Sequence, residues 1–167
     1  MSIYDFLVLT HIIGTAVGVG GATFIEIFFI NALRDGVMDP DEGTTMQISY
    51  NVLRIAFYVL ILSGFGFLIL ARIAENNEWF YSPQFWVKLS IVAIIALNAA
   101  LIQLRAIPLL WGSALALTSW YAALILGVLR GNTYPVWGVV LTYVASIVII
   151  YFVLRAIHAK YVPHKTA

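Results

Sequence analysis

The chain contains no cysteine, and only 10% of its 167 residues are charged. The first absence excludes disulfides, a thiolate metal site and a cysteine nucleophile. The second sets it apart from soluble domains, where about a quarter of residues carry charge. Histidine is scarce, with three copies, and so is methionine, with three. Met1, Met38 and Met46 form no cluster with His11, so soft sulfur support for copper is missing. No H-E-x-x-H, G-x-S-x-G, Walker or dinucleotide motif occurs, so hydrolase or nucleotide chemistry of the soluble type has no support. A net charge of +1 gives no reason to expect a nucleic-acid partner. No cleaved signal peptide is expected, because a basic n-region is missing and the first apolar stretch is too long for an h-region.

What the chain does have is apolar surface. It is 62% hydrophobic, with mean hydropathy +0.96. No soluble core of this length needs so much, so the partner it must satisfy is the lipid bilayer. The expected fold is an all-α membrane protein: one domain, residues 1–167, forming a bundle of five transmembrane helices. The spans fall at about 3–33, 52–71, 84–105, 111–129 and 135–157. A span needs about 20 apolar residues, so the first helix should tilt or protrude.

That first helix organises the rest. His11, Gly14, Thr15, Gly18 and Ala22 recur at helical spacing, with Glu26 a little further round. Gly14 and Gly18 make a G-x-x-x-G pair, which lets a neighbouring backbone approach closely. Gly21, Gly64 in the Ser63–Gly66 notch, and Gly127 on a small-residue face of helix four are further candidate packing positions. Gly36 is a plausible helix cap and Gly131-Asn132-Thr133 a turn. The acidic run Asp35, Asp39, Asp41, Glu42 lacks the spacing of a calcium loop. It reads instead as a helix start, with Asp39 as N-cap, Pro40 at the first position and Glu42 at the third.

Five spans put the termini on opposite sides. One side then holds Arg34, Arg54, Arg105, Arg155, Lys160 and Lys165, and the other Arg72, Lys88 and Arg130. Six cations against three favour an N-out, C-in orientation. His11 and Lys88 then share the outer leaflet, while Glu26, Arg54 and Arg105 share the inner one. A lone charge in hydrocarbon costs at least a few kcal/mol, so Glu26 is expected to form a buried ion pair with Arg54 or Arg105.

His11 is the main functional candidate. An imidazole within a span offers a haem or metal ligand nitrogen and a proton that moves near neutral pH. The plainer alternative is a neutral histidine bonded to a neighbouring helix. His158 and His164 lie at or beyond the opposite end of the bundle, which excludes a bis-histidine haem within one monomer. A five-coordinate haem, a His11 pair across a dimer, or a site completed by another ligand stays open.

Two stretches carry a resemblance. Leu9-Thr10-His11-Ile12-Ile13-Gly14, followed by Gly20-Gly21, resembles the first helix of the HemJ-like and CopD-like bacterial membrane families. Phe85-Trp86-Val87-Lys88-Leu89 resembles the start of a later HemJ-like helix. The resemblance implies haem b at His11 and a role for Lys88 in protoporphyrinogen oxidation, or, on the CopD-like side, copper uptake. It also implies the bacterial cytoplasmic membrane. Where the HemJ-like pattern has a proline-arginine segment, this chain has Thr23-Phe24-Ile25-Glu26.

Three functions follow. One is a redox-, haem- or metal-associated protein built on His11, with Lys88 beside it. Another is a transporter or proton pathway using His11 and Glu26. The third is a structural or assembly subunit, acting as a homo-oligomer or within a larger membrane complex.

Overall fold

The computed structural model describes residues 1–35, 39–75, 78–129 and 134–161. Five long helices follow in order: α1 (Ile3–Asp35), α2 (Pro40–Ile73), α3 (Pro83–Gln103), α4 (Leu109–Val128) and α5 (Val136–Tyr161). A short 3₁₀ turn, Glu78–Tyr81, leads into α3. All five helices are long and apolar enough to cross a membrane, as expected of a polytopic membrane protein. Gly36, the turn at Gly131-Asn132-Thr133 and His164 lie outside the described residues.

The helix ends have local causes. Ser2 and Asp5 cap α1 reciprocally: Asp5 N–H donates to Ser2 Oγ at 3.1 Å, and Ser2 N–H donates to Asp5 Oδ2 at 3.0 Å. At the start of α2 the Glu42 carboxylate accepts the Asp39 N–H at 3.1 Å, which supports the capping reading of the acidic run. Helix α3 ends in a tight reversal. Ala106 N–H reaches Leu101 O, Arg105 N–H reaches Ile102 O, and Arg105 takes φ 53°. That is the Schellman pattern, with arginine at a position glycine usually fills. Pro108 follows, and the short link makes α3 and α4 antiparallel neighbours.

Packing is centred on α1 and α4, which bury the most surface; α2, α3 and α5 surround them. Helix α1 touches α2, α4 and α5, whereas α3 packs chiefly on α4. The register of α1 against α2 is antiparallel: Leu7 meets Gly66, Gly14 meets Ala56 to Leu60, and Gly21 meets Leu53. The core gathers Ala22, Ala56, Leu60, Ile91, Ile95, Trp120 and Leu126. Trp120 is 1% exposed and fills the hollow left by Gly18; its ring carbons stand where a Cβ at Gly18 would go. Phe57 from α2 meets the same indole edge-on. Most outward side chains are large and apolar, as a lipid-facing surface requires.

Some polar groups inside the bundle find partners across helices. Ser119 and Tyr143 hydroxyls lie 2.7 Å apart between α4 and α5. Buried Asn98 donates from Nδ2 to Gly112 O at 2.9 Å, while its Oδ1 has no partner among the described residues. Just before α5, burial holds the Tyr134 phenol above its ordinary range.

Candidate functional site

Two polar sites lie toward opposite ends of α1. The first is built on His11, whose ring enters the seam with α2. Its Nδ1 is 2.8 Å from Ser63 Oγ. That hydroxyl is also 2.7 Å from Val59 O and 3.1 Å from Leu60 O. A hydroxyl has one hydrogen to give. If it goes to Val59 O, Oγ accepts from the His11 Nδ1–H, and both hydrogen bonds form. If it went to Nδ1, the bond to Val59 O would be lost and the imidazole proton would sit on Nε2. The first arrangement keeps both the His11–Ser63 and the Ser63–Val59 bonds, the second only one of them, and the Leu60 carbonyl is a further backbone partner of the imidazole. The geometry therefore favours the Nδ1–H tautomer, which leaves a lone pair on Nε2.

The ring is held from several sides. Phe67 meets it edge-on at 5.5 Å. A Cβ on Gly64 would come within 4.0 Å of His11 Cε1, so this glycine borders the imidazole rather than a neighbouring backbone. Thr15 Oγ1 donates to the His11 carbonyl. Lys88, half-buried on α3, lies within electrostatic reach of the imidazole. The structure thus brings His11 and Lys88 to the same end of the bundle, where α1 and α3 both begin.

The second site is built on Glu26, 6% exposed. Its Oε1 lies 3.2 Å from His158 Nε2 on α5. This corrects the expected partner: neither Arg54 nor Arg105 pairs with Glu26. Direction and helix adjacency exclude both. Arg54 points outward, one residue past Leu53 and away from the stripe Leu53, Ala56, Leu60 and Ser63 that faces α1. Arg105 occupies the reversal after α3, a helix that packs on α4 rather than α1. Helix α5 runs on to Tyr161, past the expected end near Ile157, and carries His158 alongside Glu26. Leu154, buried one turn earlier, marks the same face, and that i, i+4 pair was the available signal. Phe29 packs against the His158 ring at 5.3 Å.

The candidate packing glycines divide. At Gly14 a Cβ would meet the α2 backbone at Leu60 N (3.2 Å) and Ala56 O (3.3 Å), a true close approach of two helices. Gly18 receives Trp120. Gly21 only borders Leu53 at ordinary contact distance. Gly127 is exposed, and a Cβ there meets nothing within 4 Å, so packing within the described chain does not explain it. Gly66, by contrast, receives Leu7.

The two sites are separate. Fifteen residues of α1 at 1.5 Å rise place His11 and Glu26 about 22 Å apart along the axis. The apolar Gly18–Trp120 contact stands between them. Among the described residues, no three histidine or acidic side chains converge on a point where a metal ion would sit. Two shallow apolar grooves run along the outer surface, one past Phe65, Arg72 and Phe80, the other past Gly20, Phe24 and Phe28; neither is lined by His11 or Lys88. Comparison with protein-family models, curated proteins and solved structures finds no match.

Proposed function

We propose that the chain is a haem-associated membrane protein in which His11 would hold the haem iron through an imidazole nitrogen. The His11–Ser63 hydrogen bond carries the reading, because it ties back Nδ1 and, in the Nδ1–H tautomer, would leave the Nε2 lone pair for a ligand. Ligating histidines usually anchor their second ring nitrogen in this way, which fixes the orientation of the ring. Lys88 would place a positive charge near the carboxylates of a tetrapyrrole. His158 is engaged by Glu26 at the far end, so among the described residues His11 is the one imidazole at this end. Haem, when bound, supplies one-electron chemistry. The HemJ-like resemblance of the residues around His11 and Lys88 supports the same assignment. A metal ion held by His11 is the weaker form, given the donors present.

A transport pathway joining His11 to Glu26 is disfavoured by the distance between them and by Trp120. We place the His11 end outside the bacterial cytoplasmic membrane and the end of α5 inside, on the distribution of cations. The chain has no native cysteine, so single cysteines added at either end and labelled from one side test this directly.

The ligand assignment is tested by adding haem b to the purified protein in detergent and following the Soret band. Wild type should bind one haem per chain, and His11→Ala should abolish the bound spectrum. Ser63→Ala should weaken binding by about 10- to 100-fold. Wild type that stays colourless with added haem, or a spectrum unchanged in His11→Ala, would overturn the reading.

A further inference from the structure

The Glu26–His158 pair plays no part in the site proposed for His11. A permanent structural bridge in a membrane helix is best made with arginine, which stays charged in proteins. Here the partner is an imidazole, which exists in two protonation states. The pair is also unequally covered, with the His158 side chain 16% exposed and that of Glu26 7%. His158 lies within one turn of the end of α5. Of the two side chains the imidazole is the more exposed and the nearer to a helix end, so water entering from that end would meet it before the carboxylate.

Among the described residues, the surroundings hold few other charges. On α2, Tyr50 lies within electrostatic reach of Glu26. Helix α4 has no acidic, basic or histidine residue, and its Tyr121 hydroxyl lies 3.2 Å from Thr23. On α5, Arg155 and Lys160 are both exposed, and no ion pair joins either to Glu26 among the described residues. Phe29 covers one side of the imidazole.

We propose that Glu26 and His158 form a proton-exchange site open to the aqueous phase at the end of α5. In one state a neutral imidazole donates Nε2–H to the carboxylate, and the pair carries one negative charge. Uptake of one proton from water forms a second N–H bond on the ring, giving an imidazolium–carboxylate pair with no net charge. Release breaks that N–H bond and returns the proton to water. No electrons move and no other bond changes. The hydrogen bond between the residues persists in both states, so the helices need not separate for the proton to move.

The test uses full-length protein, labelled with ¹⁵N-histidine and sealed in liposomes, selecting molecules of one orientation by side-specific capture. Solid-state NMR follows the His158 nitrogens, assigned by their loss in His158→Gln. Changing the pH on the α5-end side alone should move these signals reversibly, and changing it on the other side should not. Glu26→Gln, which removes the carboxylate that pairs with the imidazolium, should alter the pH response of these signals. Retained His11 signals in that variant show that the fold is intact. His158 signals that ignore pH on either side, that respond equally to both, or that titrate identically in Glu26→Gln would overturn the proposal.

Discussion

Gly18 is where the packing can be tested most sharply. A methyl group there would overlap Trp120 carbons Cζ3, Cε3 and Cη2, far inside van der Waals contact. Two effects oppose each other in Gly18→Ala. Alanine is better than glycine in a helix by up to about 1 kcal/mol. Overpacking a filled core costs about 1–3 kcal/mol. The indole cannot easily give way, because it is 1% exposed and bounded by Phe57. The clash should therefore win, with a net loss of about 1–2 kcal/mol. For a chain of this length that corresponds to roughly 2–8 °C in melting temperature. The natural control is Gly20→Ala, where a Cβ meets nothing within 4 Å. It should be neutral or stabilising. Trp120→Ala alone should cost about 3–5 kcal/mol. Gly18→Ala added to it should cost little more, giving a coupling energy of about 0.5–3 kcal/mol. Thermal melts of the four proteins in one detergent measure the cycle. Equal melting temperatures for Gly18→Ala and Gly20→Ala, or strict additivity with Trp120→Ala, would refute the argument.

Other outcomes follow from the same contacts. His158→Ala should destabilise by somewhat less than the roughly 3–5 kcal/mol of a fully buried pair, since the imidazole is partly exposed. Arg54→Gln, measured in the same melts, should stay within about 0.5 kcal/mol of wild type. Arg105→Gly relieves a left-handed arginine and should raise stability by about 1 kcal/mol, read as a higher melting temperature. Asn98→Leu loses one hydrogen bond but also removes a buried carbonyl without a described partner. It should change stability by less than about 1 kcal/mol, whereas Asn98→Asp should lower it strongly.

The five helices were legible because apolar composition and span length leave few alternatives. The inward face of α1 was legible too, since His11, Gly14, Thr15, Gly18 and Ala22 share one helical stripe. What filled that stripe was not. A G-x-x-x-G pair says that something approaches closely, but Trp120 at Gly18 depends on which helix lies beside α1. The same limit explains the error at Glu26. Depth along the membrane can be counted in residues, and it ranked Arg54 and Arg105 as partners. Azimuth and helix adjacency cannot be counted, and they decide for His158. Gly127 failed for a related reason: small residues at helical spacing mark a face without saying whether a neighbour covers it. Ser63 was visible only as part of a small-residue notch, and its hydroxyl acquires meaning from the imidazole opposite.

The most direct measurement of the central claim is the electron paramagnetic resonance spectrum of the haem-loaded ferric protein in imidazole-free buffer. One imidazole per haem predicts a high-spin, five-coordinate signal that disappears in His11→Ala and persists in His158→Gln. A low-spin bis-imidazole signal, or a high-spin signal retained in His11→Ala, would contradict the assignment of His11 as the single protein ligand.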